Sequence, residues 1–409
     1  MTMTEEGKTY LNLSEKGVLL PREETLERLP QRKKFIIGLP LEKDENERRI
    51  ALVPNAVELL VENGHKVMVE ENAGKAAHFS NDLYARAGAE IVATAREIWE
   101  SDLVMKIAAP DDEEQEMIRK NQVLFSALMP RSRSKQYFKH LMEKKPVAVA
   151  YELIKDKTGA FPLVRSMSEI IGNTAVMIAA EYLSSPKYGK GVMLGGFPGI
   201  RPSEVVIIGS GTVAEYAART AYGMGALVKI FDDSVYKMRD LQDKLEFRVS
   251  TSVLQPILLS KALREADVVI AAKHSSTGRP ACFIPEDMVK QMKKGAVIVD
   301  VSIDQGGCFE TSHPTSHQHP VFQEFGVTHY CVPNIASKVP HTASYSLSNY
   351  LTGMLLKMGE AGDIHHYILH DKAFSQGVYI YNGALTNKNI ADAYGLPFRD
   401  LELLTSALY

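Results

Sequence analysis

From residue 35 onward, short apolar runs alternate with stretches whose apolar positions recur at helical spacing. Residues 35–39, 66–70, 103–106, 123–126 and 147–151 read as strands. Residues 55–63 read as a helix, closed by Gly64. A longer helical stretch covers about 169–183. The glycine-rich segment 191–200 that follows cannot be regular structure. A second series begins at Glu204, with strands at 205–208, 227–231, 267–271, 296–301 and 328–332. Strands separated by helices imply parallel sheets covered on both faces. Past Pro340 the pattern is helical from about 343 to 358, with no further strand series.

The pattern therefore predicts an α/β protein with two doubly wound, parallel-sheet domains. Residues 1–34 form a charged N-terminal extension. Residues 35–165 form the first part of one domain, 166–340 a second domain, and 341–409 C-terminal helices that pack back on the first. The 409 residues are ample for two cores.

Composition narrows the function classes. A net charge of −3 leaves no basic surplus for phosphate backbones, so no nucleic-acid partner is expected. No apolar run reaches the roughly 18 residues of a membrane helix, so no membrane partner is expected either. The charged N-terminal segment is unlike a secretory signal, because glutamates punctuate it and its apolar stretch at 17–21 is too short. Cys282, Cys308 and Cys331 show no C-x-x-C spacing and read as reduced thiols of a cytoplasmic protein. No metal site is expected.

The strongest local chemistry lies at 204–214 (EVVIIGSGTVA), a buried-strand run entering G-x-G-x-x-A. Gly209 permits the turn out of the strand, and Gly211 removes a side chain that would block a pyrophosphate. Ala214 lets the following helix sit close on the sheet. The helix N-terminus offers free N–H groups to phosphate. Asp232 ends the next strand, 21 residues beyond Gly211. A carboxylate there accepts from a ribose hydroxyl and repels a 2′-phosphate, which favours NAD over NADP. Asp233 adds negative charge and Lys237 opposes it.

Five further segments carry a family resemblance: 45–54 (ENERRIALVP), 167–172 (MSEIIG), 194–199 (LGGFPG), 299–308 (VDVSIDQGGC), and 332–334 (VPN) followed by Val339 and Pro340. Together they resemble alanine dehydrogenase and the related nucleotide-binding subunit of proton-translocating pyridine nucleotide transhydrogenase. The resemblance implies a Rossmann NAD domain beside a flavodoxin-like substrate domain. It makes Arg49 the arginine for the substrate carboxylate and Lys106 the lysine that contacts a 2-oxo or amino acid. It makes Asp304 the active-site aspartate, which transhydrogenase-like chains generally lack. It adds Ser168, Lys237, Val301, Asp304 and Asn334 to Gly209, Gly211, Ala214 and Asp232 around NAD. Related alanine dehydrogenases are homo-oligomers, commonly hexamers, so a homo-oligomer is implied.

Two departures lean toward the transhydrogenase branch. Met129 stands where the family has its catalytic histidine, and 106–110 (KIAAP) replaces a lysine, lysine, glutamate and proline arrangement. His274, His341, Tyr151 or a water relayed by Asp304 are the alternatives for the missing proton carrier. The expected reaction is NAD-dependent oxidative deamination of L-alanine or a related small 2-amino acid. The alternatives are a transhydrogenase-like NAD(H)-binding subunit and a weakly catalytic homologue that senses NADH or an amino acid.

Overall fold

A computed structural model describes residues 33–128, 133–273 and 283–406. Met129, His274, Cys282 and most of the N-terminal extension lie outside the described residues.

The chain first lays down β1 (Ile36–Leu39), β2 (Lys66–Glu70), β3 (Glu90–Val92), β4 (Leu103–Met105), β5 (Val123–Ser126) and β6 (Val147–Ala150). It then builds a second sheet from β7 (Glu204–Ile208), β8 (Leu227–Asp232), β9 (Ser250–Val253), β10 (Val268–Ala271), β11 (Val297–Asp300), β12 (Val321–Glu324) and β13 (Val327–Tyr330). Finally it returns to the first sheet with β14 (Val378–Tyr381) and β15 (Ala384–Leu385).

The spatial order of the first sheet is β15-β14-β6-β5-β4-β1-β2-β3, and that of the second is β12-β13-β11-β10-β7-β8-β9. Counting only the parallel strands, both run 3-2-1-4-5-6. The first sheet thus carries the dinucleotide-fold order and not the flavodoxin order 2-1-3-4-5. It is doubly wound as expected, but its switch point falls between β1 and β4. The switch point of the second sheet falls between β7 and β10. The C-terminal segment also differs from an all-helical expectation, because β14 pairs antiparallel with β6 and with β15.

Every residue of β5, β6, β7, β10 and β11 is buried. Such continuous runs are what a sheet covered on both faces requires. The helix Pro162–Ser184 starts a turn or two earlier than its apolar pattern suggested, because Pro162 presets the first helical turn. Gly172 in that helix lets it lie directly on the helix Thr212–Gly223. A Cβ at Gly172 would stand 2.5 Å from the Val213 carbonyl oxygen and 2.8 Å from Tyr216 Cβ. The helix Pro340–Glu360 anchors the segment before residue 54: Ser344 and Ser348, one turn apart, accept from the Ile50 and Val53 N–H groups at 2.9 and 3.1 Å. Among the described residues, no helix is long and apolar enough to cross a membrane.

Candidate active site

The glycine turn follows β7. Gly209 has φ +115°, and a Cβ there would lie 2.6 Å from the Ala272 carbonyl oxygen, so both torsion and packing demand glycine. Gly211 differs. Its φ is ordinary and a Cβ would meet nothing within 4 Å. Open space in front of Gly211, at the start of the helix Thr212–Gly223, is what a pyrophosphate cradle needs. Ala214, in the first turn of that helix, is fully buried.

Asp232 ends β8 and is buried. Its Oδ2 accepts from Ser210 Oγ at 2.9 Å. Its Oδ1 accepts from the Ser234 N–H at 2.9 Å and from Lys273 Nζ at 3.2 Å. Burial alone would raise this carboxyl. Hydrogen bonding with Asp233, Ser234 and Ser210, together with the Lys273 charge, outweighs that and holds it down to about 2. Lys237 is exposed, and its backbone N–H caps onto Ser234 Oγ at 3.3 Å. Ser168 Oγ bonds the Val164 carbonyl of its own helix at 2.8 Å.

Arg49 comes from the segment pinned by Ser344 and Ser348. Its Nε and Nη2 donate to the two oxygens of Glu47 at 2.8 and 2.6 Å, a bidentate pair. Nη1 points at the Met167 sulfur, 3.6 Å away. Glu47 also accepts from Asn334 Nδ2 at 2.8 Å and from Ser337 Oγ at 2.9 Å. Asn334 takes a left-handed φ of +59° at the start of the short helix Ile335–Lys338. One carboxylate therefore ties the loop after β1 to the loop after β13, across the two sheets.

Asp304 lies in the short helix Val301–Gln305, immediately after β11. Asp300 builds that turn: its buried carboxylate accepts from the Ser302 and Cys308 N–H groups and from Ser312 Oγ, at 3.0, 2.8 and 2.7 Å. Solvent still reaches the Asp304 side chain, but protein surrounds it on most sides. That desolvation pushes its carboxyl up to about 6, against the Asn334 N–H and the Arg49 charge, which pull it down. The structure thus brings Arg49, Asp304 and Asn334 together.

Lys106 is placed differently. It is 2% exposed, with Nζ 2.9 Å from Glu114 and 3.1 Å from Glu42. Burial works against its charge, but the two carboxylates more than compensate and raise its pKa. Glu42 spans the β1/β4 switch point and accepts from the Ile107 and Ala108 N–H groups at 2.5 and 3.3 Å. Burial pushes Glu42 up to about 7, with Lys106 opposing. The ammonium presents no open face to a ligand.

The two remaining proton-carrier side chains among the described residues, Tyr151 and His341, are also engaged. Tyr151 donates to the Phe125 carbonyl at 3.2 Å and is held well above the usual tyrosine range, chiefly by burial. His341 bonds the Ala77 carbonyl at 2.8 Å and stacks on Phe79. Glu42, Glu47, Glu114, Asp300, Lys273 and Ser337 went unnoticed in the sequence. Glu42, Lys273 and Ser337 meet partners tens to hundreds of residues away, as Glu47 does in Asn334 and Ser337, so only a fold could reveal those pairings; Glu114 and Asp300 bond nearer neighbours that carry no periodic signal. A cavity of about 1040 Å³ lined by Lys155, Lys357, Tyr367 and His370 contains none of the site residues.

Residues 38–171 match the model of the alanine dehydrogenase/PNT N-terminal domain, and residues 175–388 match its C-terminal domain. The chain belongs to the alanine dehydrogenase/PNT family. An alanine dehydrogenase of Staphylococcus saprophyticus is 38% identical over 90% of this chain and 99% of its own. One of Bacillus subtilis is 38% identical over 89% of this chain and 96% of its own. A solved L-alanine dehydrogenase superposes with a TM-score of 0.81 at 36% identity, covering 88% of this chain and 99% of that one. A transhydrogenase of Sinorhizobium meliloti shares the fold, with a TM-score of 0.73 at 23% identity over 86% of this chain and 100% of that one.

Proposed function

We propose that this chain is an NAD-dependent amino-acid dehydrogenase that oxidatively deaminates L-alanine, or a related small 2-amino acid, to the 2-oxo acid and ammonium, reversibly. The observation that carries this reading is the similarity to alanine dehydrogenases over nine-tenths of the chain. The convergence of Arg49, Asp304 and Asn334 supports it.

The glycine turn at 209–214 fits a dinucleotide, and bound NAD supplies the hydride acceptor. The chain's own residues do the remainder. Arg49, oriented by Glu47 through Nε and Nη2, keeps Nη1 for the substrate carboxylate. Asp304, with a carboxyl near neutrality, accepts the proton released as the amine is oxidised, and then orients the water that hydrolyses the imino acid. Asn334 holds Asp304 through its backbone N–H and Glu47 through its side-chain amide. Lys106 acts as a positioning residue, holding Glu42 and Glu114 at the floor of the β1/β4 crevice.

On this reading residues 35–165 and 341–409 form the substrate domain, and 166–340 the nucleotide domain. The protein works in the cytoplasm as a homo-oligomer, with the hexamer as the expected count. The enclosure of Lys106 by two carboxylates favours a second reading, a subunit that binds NAD(H) and passes hydride to a partner's nucleotide. A spectrophotometric assay of NAD reduction across the twenty amino acids separates the two. Growth of absorbance with alanine is expected. A silent panel with tight NADH binding would favour the second reading.

A further inference from the structure

The strand order of the second sheet places β7 between β10 and β8. Lys273 stands two residues beyond the end of β10, and Asp232 is the last residue of β8. The Lys273 side chain therefore crosses the C-terminal end of β7, where the glycine turn begins, to reach Asp232 Oδ1 at 3.2 Å and Asp233 Oδ1 at 2.7 Å. Ligands of open α/β sheets enter at such a switch point, outside the carboxyl ends of the strands. The lysine thus spans the mouth of the adenosine side of the cradle. Its backbone is fixed there: Ser302 Oγ donates to the Lys273 carbonyl at 3.0 Å, and the Ala272 N–H donates to the Ile208 carbonyl at 2.7 Å.

The bridge changes what Asp232 can offer. A carboxylate has about four acceptor positions. Ser210, Ser234 and Lys273 each take one, and the hydrogen bond with Asp233 draws on the same carboxyl, so little acceptor capacity remains for a ribose hydroxyl. The charge that would repel a 2′-phosphate is paired with an ammonium. Ser210 Oγ and the Ser234 N–H stand beside it as ready donors to a phosphate oxygen.

We infer that Lys273 is a specificity-determining residue at the ribose 2′ position, which lets the site accept 2′-phosphorylated dinucleotides far better than Asp232 alone would allow. This rests on reading the 209–214 turn as the dinucleotide cradle, and it moderates the NAD preference that Asp232 imposes. With NADPH bound, Lys273 turns from Asp233, which is exposed, to the phosphate. With NADH bound, it stays on the two aspartates.

The test is the ratio of NADPH to NADH dissociation constants, measured by nucleotide fluorescence on the full chain without amino acid. Lys273→Met is expected to widen that ratio by roughly tenfold, the loss of one charge-assisted hydrogen bond, almost wholly by weakening NADPH. Lys273→Arg is expected to keep the ratio within about threefold of the parent, because the charge is retained. A merely structural lysine would weaken both nucleotides alike and leave the ratio unchanged in Lys273→Met, which would overturn the inference. So would a ratio that narrows. A parent chain that oxidises alanine while Lys273→Met leaves the ratio untouched refutes the role of Lys273 alone. A folded parent chain that binds neither nucleotide refutes the cradle and the inference together.

Discussion

Asp304 and Lys106 are both ionisable residues singled out by family resemblance, and their surroundings assign them opposite behaviour. Desolvation pushes the Asp304 carboxyl up to about 6 while leaving it within reach of solvent. A group that must be ionised to accept a proton becomes active above its pKa. The kcat/KM for alanine oxidation should therefore rise with pH through about 6 and level off. Asp304→Asn should lower the rate by about 10²–10⁴-fold and erase that limb of the pH profile. A mutant that keeps the limb would assign it to another group. Lys106 instead neutralises two buried carboxylates. Lys106→Met leaves Glu42 and Glu114 with an uncompensated charge, which typically costs about 3–5 kcal/mol. Denaturant unfolding of that variant should show this loss. A variant of full stability that fails only in turnover would restore the substrate-contact role.

At the scale of elements, legibility followed burial. β2, β5 and β7 were readable because their apolar runs are continuous or cleanly alternating, and they match the expected positions within a residue. β9 is mostly exposed, β3 has three residues and β15 two, so none of them leaves a periodic trace. β14 is wholly buried, but it follows a helical region and is only four residues long, which periodicity alone cannot distinguish from a helix end. The glycine turn was legible because each glycine has a local reason. The charged partners that build the site were not, since Glu47 to Asn334 and Glu42 to Ile107 are tertiary pairings. Gly172 tests the packing of the long helix on the nucleotide helix. Gly172→Ala forces a Cβ against the Val213 carbonyl and should destabilise the protein by about 1–3 kcal/mol. It should also weaken NADH binding, because the displaced helix carries the phosphate-facing N–H groups. Unfolding midpoints and NADH titrations on the same preparation check both effects.

For the molecule as a whole, the two sheets repeat one winding order and meet through loops at the carboxyl ends of their strands. The N-terminal sheet contributes Arg49 and Glu47; the second contributes Asp304, Asn334 and Ser337. Glu47 is the common member. Arg49, proposed to take the substrate carboxylate, spans both Glu47 oxygens, and Asn334, proposed to lie beside the nucleotide, shares Oε2 with it. Whatever draws Asn334 away frees negative charge on Glu47 and tightens its hold on Arg49, and whatever occupies Arg49 loosens Glu47 toward Asn334. If both proposed roles hold, the two ligands are expected to be coupled through Glu47. Thermodynamic reciprocity requires that pyruvate change the affinity for NADH by the same factor as NADH changes that for pyruvate. Titrating each in the presence and absence of the other should give equal factors different from one, and Glu47→Gln should bring both toward unity. A single carboxylate would then serve as a conversation between two binding sites that share no atom of either ligand.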